Sequence, residues 1–173
     1  MRHMNNTKRI VQCAVLISLA LALSYTERFI PLQLLIPLPG VKLGLANVVT
    51  LIALYMLGKK DAFTILLIRC VLGAVFGGGI TGLLFSLAGG LLSMSVMALC
   101  KDASCFSVYG VSILGAAAHN IGQILAAMLL MHSAYIGVYL AYLLVVALFT
   151  GFATGAACAG VLQILKTVNI FKK

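Results

Sequence analysis

The sequence predicts an all-α polytopic membrane protein, with about six transmembrane helices forming one domain over residues 1–173. Three observations carry this. From Ala103 to Leu165 the chain runs 63 residues without one Asp, Glu, Lys or Arg, whereas a solvated surface needs charge. The composition is 63% hydrophobic and 9% charged, with a mean hydropathy of +1.17. A spanning helix takes roughly 20 residues, so this length holds six spans and short loops.

The first span is expected over Lys8 to Thr26. Lys8 and Arg9 before an apolar run, with Ala20-Leu21-Ala22 beyond, imitate a signal peptide. The downstream chain is equally apolar, so an uncleaved span is the expectation. Pro31, Pro37 and Pro39 then break any long helix. The second span is expected over Leu43 to Leu57, followed by the turn Gly58-Lys59-Lys60-Asp61. The third runs from Ala62 to Phe76 and ends at Gly77-Gly78-Gly79. The fourth covers Ile80 to Leu99, with Lys101-Asp102 as the next turn. The fifth covers Val108 to Met131 and the sixth Tyr135 to Leu165. The sixth is long enough that it should tilt, protrude or break near Gly151 or Gly155.

Basic residues orient these spans. Taking the segments alternately, one side collects Arg2, Lys8, Arg9, Lys59, Lys60, Lys101, Lys166, Lys172 and Lys173, and the other collects Arg28 and Lys42. The positive-inside rule then puts both termini in the cytoplasm, which an even number of spans requires.

Several function classes are disfavoured. The net charge of +9 follows from orientation signals between apolar runs. No basic patch with interleaved aromatics points to nucleic acid. Cys13, Cys70, Cys100, Cys105 and Cys158 are scattered and odd in number, as expected of small hydrophobes at helix contacts. His119 has no second His or Cys at ligand spacing, so neither a metal nor another cofactor is expected.

Polar groups inside apolar runs are expensive in lipid and mark candidate sites. Arg69 lies about two turns into the third span. It either caps carbonyls near the cytoplasmic interface or meets an anion in a cavity. Glu27 and Arg28 end the first span and Lys42 opens the second, around a proline-stiffened segment that is either an interfacial loop or a lid. His119, Asn120 and Gln123 share one broad face of the fifth span, and Asn47 and Thr50 offer a matching face on the second. Helix-to-helix hydrogen bonding and ligand binding both fit. Small residues spaced by four (Ala14, Ser18 and Ala22; Gly73 and Gly77; Gly151 and Gly155) allow close packing within the chain or against another membrane protein.

Taken together, Leu23-Ser24-Tyr25-Thr26-Glu27-Arg28-Phe29-Ile30-Pro31, Pro37-Leu38-Pro39-Gly40-Val41-Lys42-Leu43-Gly44-Leu45-Ala46-Asn47, Phe85-Ser86-Leu87-Ala88-Gly89-Gly90 and Gly115-Ala116-Ala117-Ala118-His119-Asn120-Ile121-Gly122-Gln123 resemble the family called heptaprenyl diphosphate synthase component I, also named the Gx transporter family. That family is similar to the substrate-binding S-components of energy-coupling factor transporters. The resemblance implies an S-component-like six-helix bundle in a bacterial cytoplasmic membrane. It implies a transmembrane coupling subunit with ATPases as partner, met by a small-residue stripe where Ala14, Ser18 and Ala22 fall here. The enzyme name implies instead a prenyl synthase component as partner. Prenyl diphosphate synthases hold Mg²⁺ on clustered aspartates, and the three acids here, Glu27, Asp61 and Asp102, are far apart in sequence. No catalytic residue is therefore expected.

The functional expectation is a membrane-embedded, substrate-binding transport subunit for a small anionic solute. Glu27, Arg28, Lys42, Asn47, Arg69, His119, Asn120 and Gln123 are its candidate site, because Arg28, Lys42 and Arg69 outweigh Glu27. The alternative is a non-catalytic membrane accessory protein of isoprenoid, quinone or flavin-linked redox metabolism.

Overall fold

A computed structural model describes residues 6–29 and 42–167. The Pro-rich segment 30–41, where a lid is expected, lies outside the described residues. Helix α1 spans Asn6–Thr26 and runs into a 3-10 turn, Glu27–Phe29. Residues 42–46 are non-helical and lead into α2, Asn47–Met56. The expected second span therefore begins late, because Gly44 adopts φ +81°, a conformation that favours glycine and does not continue a helix.

Gly58, at φ +99°, separates α2 from α3, Lys59–Gly73. Helix α3 starts one turn earlier than the apolar pattern suggests, with Asp61 in its first turn, where the helix dipole favours an acid. A π-type turn, Ala74–Gly78, follows. Gly77 and Gly79 take φ of +101° and +61° there, so the glycine run supplies a bend rather than a packing stripe. Helix α4, Gly79–Cys100, then doubles back, since a Cβ at Gly90 would lie 2.7 Å from Leu66 Cδ1.

Ser107 caps α5, Val108–Leu130, accepting the Gly110 N–H at 3.2 Å. A 3-10 turn, Ala134–Gly137, precedes α6, Val138–Thr167. Helix α6 is unbroken over 30 residues. At 1.5 Å per residue that is roughly 45 Å, longer than a bilayer core of about 30 Å, so it tilts or protrudes in a membrane.

Among the described residues, four segments are long and apolar enough to cross a membrane: 6–26, 59–100, 108–130 and 134–167. The second of these contains the α3–α4 bend. Helix α2 is apolar but short.

Helix α5 is the middle of a three-helix layer, α4–α5–α6. Glycines set its spacing. A Cβ at Gly122 would lie 2.5 Å from the Ala88 carbonyl oxygen of α4, and one at Gly151 of α6 would lie 2.6 Å from Ile113 Cα. A Cβ at Gly155 would lie 3.1 Å from Tyr109 Cα. The Gly151/Gly155 stripe thus packs within the chain. Seven of the ten residues of α2 are buried, and it touches every other α-helix. Helix α1 is peripheral. Only Ala20 is fully buried in it, while Val11, Val15 and Leu19 point outward with α5 and α6 residues such as Leu129 and Phe149. Such an apolar exterior suits lipid.

Charge closes one end of the bundle. Arg9 pairs with Asp61, Nε to Oδ2 at 2.7 Å, and Lys59 pairs with Asp102. Lys101 Nζ donates to the Leu54 carbonyl at 2.7 Å and lies 5.2 Å from the Tyr55 ring centre. The opposite end holds the 3-10 turn after α1 and the strap 42–46.

Candidate functional site

The strap 42–46 is where non-helical backbone enters the bundle, and side chains from the surrounding elements hold it. Its Lys42 N–H donates to Gln123 Oε1 of α5 at 3.1 Å. The Leu45 N–H donates to Glu27 Oε1, from the turn after α1. Lys42 Nζ donates to Ser86 Oγ of α4 at 3.0 Å. Non-helical backbone at membrane depth needs such internal partners.

Beneath the strap lie the other predicted polar residues. Arg69 Nη2 of α3 donates to Asn47 Oδ1, in the first turn of α2, at 2.9 Å. Gln123 Nε2 and His119 Nε2 are 2.7 Å apart, one turn from each other on α5. Gly44 presses on both groups: a Cβ there would be 2.9 Å from His119 Cδ2 and 3.0 Å from Asn47 Nδ2. Gly89 of α4 makes room for the His119 ring, with a virtual Cβ 2.8 Å from Nδ1. Gly90, next to it, would put a Cβ 3.6 Å from Arg69 Nη2.

Glu27, Lys42, Asn47, Arg69, His119 and Gln123 therefore form one contiguous cluster. Arg69 and Lys42 belong to the same end of the molecule, away from the Arg9–Asp61 pair. The cluster is closed: Gln123 is 0% exposed, His119 3%, Glu27 4% and Arg69 6%. Asn120 diverges from it. Its Nδ2 donates to the Leu143 carbonyl at 2.8 Å, bracing α5 against α6. The Arg28 side chain lies outside the described residues.

The electrostatics are lopsided. Two cationic residues share the cluster with one acid. Burial pushes the Glu27 carboxyl above its ordinary range, against the opposing pull of the Leu45 N–H, Lys42 and Arg69. Buried cations are costly unless partners complete their donors. Here Arg69 Nε, Asn47 Nδ2 and His119 Nδ1 are buried without a partner among the described residues. The first two are donors, and the third donates or accepts according to the ring's tautomer.

Beside the cluster, between the strap, α4, α5 and α6, is a cavity of about 10 Å³ lined by Leu43, Gly44, Asn47, Met97, Ser112, Ala116, Thr150 and Thr154. Sequence reasoning missed Ser86, Ser112, Thr150 and Thr154, because isolated hydroxyls in apolar helices commonly bond back to their own carbonyls. One signal could have found two of them: Thr150 and Thr154 are one turn apart, beside the packing glycines Gly151 and Gly155.

Ala14, Ser18 and Ala22 form an exposed line on the outer face of α1. Ser18 Oγ donates to the Ala14 carbonyl at 3.0 Å, so the stripe presents a smooth, nearly apolar strip.

The family model for heptaprenyl diphosphate synthase component I matches residues 16–161, and the chain belongs to that family. The match takes in every residue of the polar cluster. No curated protein and no solved structure matches the chain.

Proposed function

We propose that the chain is a solute-binding membrane subunit that takes a small anion at the Glu27–Lys42–Asn47–Arg69–His119–Gln123 cluster. The observation that carries this is the donor surplus. Lys42 and Arg69 outnumber Glu27, and of the cluster's three buried atoms without a partner among the described residues, Arg69 Nε and Asn47 Nδ2 need an acceptor, while His119 Nδ1 takes either role according to its tautomer. An anionic solute completes them, and the low dielectric makes that pairing strong. The closed cluster is then the unloaded arrangement, and solute enters when the strap 42–46 moves aside. In this reading α1 to α6 each cross the bacterial cytoplasmic membrane, α2 with help from the strap, and both termini are cytoplasmic. The sequence holds no phosphate-binding loop of the G-x-x-x-x-G-K-[ST] kind, so uptake would borrow energy from a coupling subunit with ATPases, docked on the Ala14–Ser18–Ala22 strip.

The family's description supports a second reading, a non-catalytic partner of a prenyl synthase component. The separation of the acids fits it. Asp61 pairs with Arg9, Asp102 with Lys59, and Glu27 accepts from the strap, which leaves no carboxylate pair for a Mg²⁺-diphosphate. Native mass spectrometry of the protein purified from its membrane separates the two. A co-purifying small anion, lost in Arg69→Gln, supports the first reading. A stoichiometric protein partner without ligand overturns it in favour of the second.

A further inference from the structure

Asn47 faces two ways. Its Oδ1 accepts from Arg69, its Nδ2 has no partner among the described residues, and the residue, 8% exposed, lines the small cavity that reaches α6. The cavity's other polar groups are neutral hydroxyls. Ser112 Oγ and Thr154 Oγ1 are 2.8 Å apart. Thr154 also reaches the Thr150 carbonyl at 2.8 Å, and Thr150 Oγ1 donates to the Val146 carbonyl at 3.1 Å. Their protons are thus engaged, and each hydroxyl oxygen keeps acceptor capacity. Its volume, about 10 Å³, is close to the least that admits one water. The walls cannot close on it, because Gly151 and Gly155 already hold α6 at backbone contact with α5.

We propose that this cavity is a neutral-oxygen subsite of the anion site described above. The inference rests on that reading and narrows its substrate class. The solute carries, beside its anionic group, an uncharged hydroxyl or carbonyl oxygen. That oxygen accepts from Asn47 Nδ2, and a hydroxyl can in addition donate to Ser112 or Thr154. The spacing follows from one side chain serving both ends: Asn47 Oδ1 steadies Arg69 on the anionic group, and Nδ2, on the same amide carbon, meets the neutral oxygen. A solute with that oxygen one or two bonds from its anionic carbon fits, and an unsubstituted alkyl acid does not. A site whose buried donor is left unpaired rejects the analogue lacking the acceptor.

Isothermal titration of the full chain in detergent with three matched carboxylates tests this: lactate, pyruvate and propionate. The expected result is binding of lactate and pyruvate about tenfold tighter than propionate, the size of one buried hydrogen bond. Thr154→Val should reduce the lactate preference and leave propionate unchanged, while Arg69→Gln should weaken all three. Equal affinities in the parent protein overturn the subsite and leave the anion site standing. Absence of binding by all three overturns both. The comparison among ligands uses the unaltered protein, so a variant that misfolds does not decide it.

Discussion

Arg69 Nη2 donates to Asn47 Oδ1 at 2.9 Å, joining the middle of α3 to the first turn of α2 inside the bundle. The bond fixes a guanidinium that would be expensive in lipid and leaves its Nε without an acceptor among the described residues. Asn47→Asp separates fold from function here. The carboxylate forms a charge-assisted bond with Arg69, so the melting temperature should hold or rise. The added negative charge should abolish retention of a small anion, read by native mass spectrometry. Arg69→Met, which strands the Asn47 amide, should instead cost roughly 1–3 kcal/mol of stability.

Gly44 and Gly58 both sit at positive φ, with very different surroundings. A Cβ at Gly58 meets nothing within 4 Å, whereas one at Gly44 runs into His119 and Asn47. Gly58→Ala should therefore cost only the backbone strain, about 1 kcal/mol. Gly44→Ala should cost that and a further 1–3 kcal/mol or so for overpacking. Thermal melts of the two variants in one detergent check the order. Equal shifts would mean that the strap does not bear on the cluster.

Much of this arrangement was legible from cost alone. Arg69, Asn47, His119 and Gln123 are polar groups in apolar helices, and each has to find protein partners. Asn120 shows the limit of that reasoning. It shares a helix face with His119 in projection, yet it turns to the Leu143 carbonyl on α6. Sequence spacing places a residue on an arc of the helix and does not say which neighbour fills that arc. The late start of α2 was hidden for a similar reason. Leu43 and Leu45 look helical by hydropathy, and only the tertiary bonds from Glu27 and Gln123 hold their backbone out of the helix. The long α6 was expected to tilt, protrude or break. It stays continuous because Gly151 and Gly155 are used for contact with α5.

Glu27 should give stability a pH signature. Its carboxyl lies above the ordinary range in the folded chain because of burial. The folded state then holds a proton that the unfolded chain has released. Stability should fall as pH rises from the unfolded value of about 4.3 toward the raised folded value. Glu27→Gln retains the acceptor for the Leu45 N–H and has no proton to lose. Its melting temperature should be flatter than the parent's across that window. Parallel profiles would show that Glu27 is ionised throughout.

Both termini should be cytoplasmic. With six spans taken in order along the sequence, nine basic residues would fall on the side shared by the termini and two on the other. The ion pairs Arg9–Asp61 and Lys59–Asp102 lie together at the first of these ends. Reporter fusions that are active only outside the cytoplasm should be silent at either terminus. Activity at one of them would require an odd number of spans.

The exposed strip on α1 should be a protein-binding surface. Ala14, Ser18 and Ala22 follow one another on its outer face, and Ser18 satisfies its own hydroxyl on the Ala14 carbonyl. Small side chains in line permit close approach of another helix, the main source of helix association in lipid, where apolar burial gains nothing. Ser18 is exposed, so Ser18→Leu should leave the stability of the isolated chain within about 0.5 kcal/mol of the parent's, as for ordinary surface changes. The same substitution should remove a stoichiometric partner from pull-downs in mild detergent. A variant that keeps every partner of the parent would leave the strip facing lipid.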